Sequence, residues 1–150
     1  MLLNFADQSP FATGVASYDY NGVPGSDASA RIILEVIIEG QPTTAILDTG
    51  APYLICSPAL VEVLRLNPSA ALARHTMLIR GYKVKGDLYR VALTIPAKEG
   101  MELSLEVMAF VPAAGEQYMF PSFLGLLGCL EWVRFAIDPL DNKFYFGQYG

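Results

Sequence analysis

"AILDTGAPYLICSP", residues 45–58, sets an acid inside an apolar stretch. Asp48 follows Ile46 and Leu47 and is succeeded within a few positions by Ala51, Tyr53, Leu54 and Ile55. A carboxylate flanked in this way is not placed for solubility. Either it is a turn residue between two buried strands, or it is held at the edge of a core because its chemistry is used. Gly50 permits a positive φ, so the chain can fold back beneath the carboxylate. Ala51 is small enough to let a second element approach. Thr49 offers a hydroxyl for a backbone partner while its methyl packs.

Outward from this stretch the chain reads as β-rich. Upstream, Ile32–Ile38 and Thr43–Leu47 form two strands joined by a turn at Glu39-Gly40-Gln41-Pro42. The first is apolar at nearly every position, which predicts cover on both faces. Gly14–Tyr20 reads as a short first strand, and residues 21–30, "NGVPGSDASA", as a loop. Downstream, residues 57–66 predict a short helix with Ser57 as N-cap, Pro58 at the first helical position, and Leu60, Val61 and Leu64 on one face. Residues 76–96 predict a hairpin bending between Gly81 and Gly86. Met101, Leu103, Leu105 and Val107 alternate along a strand over 101–112. "FLGLLGCLEWV" holds a strand, a glycine turn and a short helix at about Cys129–Val133. "RFAIDPLDNKFYFG" closes as a hairpin with its turn at Asp138–Asn142. The expectation is an all-β, closed or folded-over sheet with one or two short helices.

Composition narrows the function classes. One domain is the simplest reading of 150 residues. The apolar fraction of 53% and mean hydropathy of +0.35 are high, yet no apolar run reaches the ~18 residues of a membrane span. Such an excess suggests that some apolar surface meets another subunit. A net charge of −5 without a basic run argues against nucleic acid. No membrane partner is expected. Cys56 and Cys129 sit in apolar settings and read as reduced, packed thiols. No ligand cluster or phosphate-binding glycine loop is present, so no metal and no organic cofactor is expected. "MLLNFADQSP" lacks the features of a secretory signal, making a cytoplasmic location the default, with excision from a longer precursor left open.

Two carboxylates within hydrogen-bond reach share a proton, because both cannot ionise there at once. One then acts as base toward water and the other as acid toward the developing oxyanion. "AILDTGAPYLI" resembles the active-site loop of the aspartic peptidases, and Asp-Thr-Gly-Ala resembles their retropepsin-like, retroviral-type branch. "FLGLLGCLEWVRFAIDPLDNKFYFG", residues 123–147, is similar to the closing segment of that family, in which an apolar strand passes under the loop that carries Asp. The resemblance covers about residues 31–147 in the right order, with residues 1–30 as an N-terminal extension of short strand and loop and residues 31–150 as the protease domain. It implies the acid-protease fold and Asp48 as catalytic carboxylate. Thr49, Gly50 and Ala51 would support the dyad, with Thr49 bonding across a two-fold axis and Gly50 positioning substrate backbone. The flap would offer Gly81, Tyr82, Lys83 and Val84 to substrate, and Leu127 and Gly128 would form the loop under the site. Asp-Thr-Gly occurs once, so the resemblance implies a homodimer acting on peptide or protein, with Asp48 of each copy on the axis.

Two positions differ from that pattern. Pro52 stands where retroviral members carry an acid that holds substrate backbone, and Cys129 where many relatives carry Arg. A catalytically weak or inactive dimerisation or peptide-binding module is therefore the alternative, and a monomeric β-barrel with a chance tripeptide is a third reading. Ala51 brings no hydroxyl to the dyad, which predicts a mildly acidic to neutral optimum. His75 has no partner at triad spacing and reads as a solvated loop residue. Lys83, Lys85 and Arg90 read as a solvated hairpin face, and Trp132 as core or interface packing.

Overall fold

The computed structural model describes residues 2–21 and 30–149. The loop expected at residues 21–30 lies almost wholly outside them. The strands are β1 (Gly14–Ser17), β2 (Asp19–Asn21), β3 (Arg31–Ile38), β4 (Gln41–Leu47), β5 (Leu54–Ile55) and β6 (Ala73–Ile79). They continue as β7 (Tyr82–Ile95), β8 (Glu99–Gly100), β9 (Leu103–Pro112), β10 (Phe123–Leu124), β11 (Val133–Asp138) and β12 (Lys143–Gln148). Among the described residues one α-helix, α1 (Pro58–Leu64), lies between β5 and β6.

Eight strands form one sheet in the order β2-β3-β4-β10-β5-β9-β7-β6. A further pairing of β3 with β7, Ile37 opposite Thr94 and Ile38 opposite Leu93, closes β3, β4, β10, β5, β9 and β7 into a barrel. Closure hides strand edges that would otherwise invite pairing with other chains. The remaining sheet runs β11-β12-β1-β8. The expectation of an all-β, closed sheet with a short helix is met.

Local rules account for most elements. β3 and β4 turn through Glu39 and Gly40, both at positive φ (49° and 77°), a two-residue hairpin tighter than the four-residue turn expected. The Ser57 side chain accepts a hydrogen bond from the Leu60 N–H, Pro58 opens α1, and Leu60 is buried, as expected. β3 buries Leu34, Val36 and Ile38 completely, leaves Ile33 and Ile37 half-buried and exposes Glu35. Its second face is therefore only partly covered. The closing hairpin pairs Val133–Asp138 with Lys143–Gln148, also as expected.

Four further details differ from the sequence reading. The strand expected at Gly14–Tyr20 is two strands in different sheets, because Tyr18 turns inward and is buried between them. The flap bends at Arg80–Gly81 (φ 50° and 85°), and Tyr82–Gly86 already belong to β7. The helix expected at Cys129–Val133 is one 3-10 turn, Leu130–Trp132, since Val133 is drawn into β11. His75 is half-buried in β6, edge-on to the rings of Tyr53 (5.8 Å) and Phe110 (6.4 Å).

Two apolar clusters fill the molecule. The larger gathers Leu34, Leu54, Leu93, Leu124, Phe144 and Phe146 among others, tying the barrel to the small sheet. The smaller gathers Ile46, Ile55, Met77, Phe110, Tyr118 and Phe123 beneath the β6–β7 hairpin. No helix among the described residues is long and apolar enough to cross a membrane.

Candidate active site

Asp48 is placed by backbone pairing rather than by its side chain. β10 inserts between β4 and β5, parallel to the first and antiparallel to the second. The Ile46 N–H donates to Ser122 O and the Asp48 N–H to Leu124 O, both at 2.9 Å. Beyond the strands, residues 51–53 and 125–127 exchange three further bonds. Gly125 N–H donates to Tyr53 O (2.8 Å), Leu126 N–H to Ala51 O (2.7 Å) and Tyr53 N–H to Leu127 O (2.8 Å). Only glycine fits at 125: a Cβ there would lie 2.3 Å from Tyr53 O and 2.5 Å from Ala51 O. The Leu127-Gly128 turn thus braces the acid's loop from below, and the Glu131 carboxylate accepts the Gly128 N–H.

Within the loop, the Gly50 N–H donates to Asp48 Oδ1 (3.0 Å) and the Ala51 N–H to Asp48 O (3.1 Å). This turn orients the carboxylate. Asp48 is half-buried, while Thr49 and Gly50 are exposed. A cavity of about 170 Å³ opens over the acid. Its floor is Asp48, Gly50, Ala51 and Pro52; Ile55 and Phe123 form the wall; Met77–Arg80, the rising arm of the β6–β7 hairpin, form the roof. The hairpin therefore overhangs Asp48 as a flap would.

The chain belongs to the aspartyl protease family. A family model of that description matches residues 34–126, which span the acid's loop, the hairpin and β10. The fold is that of the retropepsin-like aspartic protease from Rickettsia conorii. Its crystal structure matches with a TM-score of 0.57 over 90% of this chain and 95% of that one, at 16% identity. Two viral enzymes align more loosely. EIAV protease complexed with the inhibitor HBY-793 gives a TM-score of 0.43 at 17% identity, over 69% of this chain and 86% of that one. Simian Foamy Virus (mac) protease gives 0.39 at 19% identity, over 67% and 92%. No curated protein matches the chain.

In this retropepsin-like chain the other residues singled out from sequence fall in two places. Thr49, Gly50 and Ala51 share the acid's loop, and Leu127 is tied to the end of that loop by accepting the Tyr53 N–H. Gly81, Tyr82, Lys83 and Val84 lie at and beyond the flap bend, away from the Asp48 cavity. Tyr82, Lys83 and Val84 instead line a second cavity of about 640 Å³ against residues 115–120. The side chains walling the Asp48 cavity were not singled out: Ile55 read only as an apolar flank of the acid, Met77, Ile79 and Arg80 only as part of a hairpin, and Phe123 only as part of a strand. The consecutive positive φ angles at Arg80 and Gly81 move the tip one residue earlier. Ser122, the one buried polar side chain among the described residues, was also missed. Its Oγ accepts the Ser57 N–H (2.9 Å) and so ties α1 to the start of β10.

Neither thiol is built as a nucleophile. Cys56 and Cys129 are buried, and burial pushes each thiol up to about 12. Among the described residues no group of three or more His, Cys, Asp or Glu could hold a metal ion.

Proposed function

We propose that the protein is an aspartic endopeptidase active as a homodimer, with Asp48 of each protomer forming one half of a dyad. The observation that carries this is the placement of the only Asp-Thr-Gly carboxylate at the floor of a cavity roofed by a hairpin, in a chain of the aspartyl protease family. Across a two-fold axis the paired acids share a proton. The ionised member takes a proton from water, the water attacks the peptide carbonyl, and the protonated member donates to the oxyanion. Thr49, exposed at the lip of the loop, would reach its mate. Gly50 would approach substrate backbone, and Ala51 would pack behind the carboxylate. The flap residues Gly81, Tyr82, Lys83 and Val84, which line no part of the Asp48 cavity itself, would meet the substrate chain beyond it, and Leu127 and Gly128 would hold the loop. Residues 31–150 would be the catalytic unit, with residues 1–30 an extension whose β1 completes the terminal sheet.

The surface beside the loop supports a partner there. Leu127 is 55% and Trp132 44% exposed, Leu126 is exposed beside them, and Tyr149, exposed after β12, donates its hydroxyl to Glu131 O of that segment. A second reading, a dimeric peptide-binding module without turnover, is favoured by one feature. Pro52, which carries no acid, lines the cavity floor.

The test is cleavage of an unstructured protein by wild type and Asp48→Asn, with and without a pepstatin-type inhibitor, alongside light scattering. Inhibitable cleavage by a dimer, lost in the variant, is expected, with an optimum at mildly acidic to neutral pH. Cleavage that persists in Asp48→Asn, or an optimum at gastric-type pH, would contradict the reading. Peptide binding without any cleavage would favour the second.

A further inference from the structure

Charge is segregated along this chain. Residues 74–90, nearly all of the flap hairpin, hold five of its ten Lys and Arg residues and one acid, Asp87. That segment carries +4 at neutral pH, and the remaining residues carry −9. At the base of the hairpin the charges are matched. Arg74 Nε lies 3.2 Å from Asp87 Oδ1, and Arg90 Nε lies 3.8 Å from Glu106 Oε2 on β9. Toward the tip Arg80, Lys83 and Lys85 follow within six residues, and the Glu116 carboxylate approaches them, accepting the Lys85 backbone N–H (3.1 Å).

The three tip cations face different ways. Lys83 and Lys85 stand opposite Leu78 and Thr76 on the exposed outer face. Arg80 turns over the cleft. Its guanidinium carbon lies 4.8 Å from the Phe120 ring centre and 5.6 Å from that of Phe123, and it lines the same cavity as Asp48. Stacking uses the faces of the guanidinium, whereas its five N–H donors lie in the plane. Those edges suit a carboxylate, and there are enough of them to hold a protein partner and a ligand together. The other walls, Ile55, Met77, Ile79 and Phe123, are apolar, so among the described residues the exposed Arg80 guanidinium is the one cationic group lining the cavity, and its attraction is screened by salt.

We propose that this cleft selects acidic peptides, with Glu or Asp close to the scissile bond. Arg80 binds the carboxylate, and Lys83 and Lys85 draw the segment in from within about one Debye length of ~8–10 Å. The inference rests on the proteolytic reading and names its substrate class.

The experiment uses three peptides with one apolar centre and flanking Glu, Gln or Lys. The kcat/KM of each is measured at low and high salt on wild type, Arg80→Gln, Arg80→Lys and Lys83→Gln/Lys85→Gln. Thermal melts check that each variant folds. In parallel, the same peptides are bound to Asp48→Asn, with and without Arg80→Gln, and followed by fluorescence anisotropy. At low salt the Glu peptide is expected to exceed the Lys peptide by about tenfold or more, shrinking with salt. Arg80→Gln is expected to bring the ratio near unity, Arg80→Lys to retain part of it, and the double lysine variant to weaken mainly its salt dependence. A wild-type ratio near unity, or one that Arg80→Gln leaves unchanged, overturns the proposal. If no peptide is cleaved, the proteolytic reading fails by itself and binding decides. A Glu-over-Lys order that depends on Arg80 sustains acidic selection, and equal binding overturns it.

Discussion

Gly125→Ala isolates the crossing of the two segments that position Asp48. A Cβ at this position would meet Tyr53 O at 2.3 Å, Ala51 O at 2.5 Å and the Pro52 carbonyl carbon at 2.6 Å. All three are backbone atoms, so no rotamer change relieves the clash. The same backbone stretches are held together by the bonds Gly125 N–H to Tyr53 O and Leu126 N–H to Ala51 O, which must lengthen if the strands part. Overpacking costs roughly 1–3 kcal/mol where neighbours can yield. With neighbours this stiff, we expect the upper end, about 3 kcal/mol, a large share of the ~5–15 kcal/mol that holds a domain together. At a urea m-value of about 2 kcal/mol/M, the midpoint falls by about 1.5 M. Urea unfolding followed by tryptophan fluorescence reads this directly through Trp132. The control is Gly40→Ala, where a Cβ meets nothing within 4 Å and only the φ of +77° is strained, at about 1 kcal/mol. Equal midpoints for the two variants would refute the steric account of how the acid's loop is held.

Three further outcomes are expected. Leu127→Asp and Trp132→Asp place a like-charged pair near the proposed two-fold axis and should halve the mass seen by light scattering. A wild-type monomer, or a variant that remains dimeric, contradicts the proposed interface. Ser122→Ala leaves the Ser57 N–H without its acceptor in a nearly closed site and should cost about 1–3 kcal/mol in urea unfolding; a loss under about 0.5 kcal/mol would mean that another acceptor replaces it. The folded-state thiols of Cys56 and Cys129, raised to about 12, keep their protons at a pH where the unfolded chain, near ~8.5, loses them. Their contribution is therefore complete below about pH 8.5 and declines as pH rises toward 12. Urea midpoints should drop between about pH 8.5 and 10, and a Cys56→Ala/Cys129→Ala variant that drops equally would exclude the thiols as the cause.

Much of the fold was legible because it is written in local rules. Ser57-Pro58 announces a capped helix, Glu39–Pro42 a turn that the structure closes in two residues, and the alternation from Met101 to Val107 a strand that begins at Leu103 with Met101 left exposed. The acid's loop was legible in part: Asp48 and the apolar runs on both sides are neighbours in sequence, but the positive φ expected of Gly50 falls instead on Tyr53 (62°). The misreadings are at places where distant segments compete. Val133 could extend the short helix or join β12, and pairing with Gln148 took it into β11. Tyr18 looked like the middle of one strand, but burial between two sheets divided that strand. His75 seemed solvated until Tyr53, from the acid's loop, and Phe110, from β9, closed on it.

The amino-acid order alone determined that the chain is mostly strand, that its acid lies at a turn between apolar runs, and that the acid has no second copy within the chain. These follow from side-chain periodicity and backbone preference, which act over a few residues. Only the tertiary structure decided what surrounds the acid. Phe123 and Ile55 reach its cavity because β10, about 75 positions after Asp48, slides between β4 and β5. Arg80 overhangs it because the flap folds across Phe120 and Phe123. Such neighbours are selected by the closure of the barrel and the packing of its core, a balance summed over the whole chain that no short window of sequence contains.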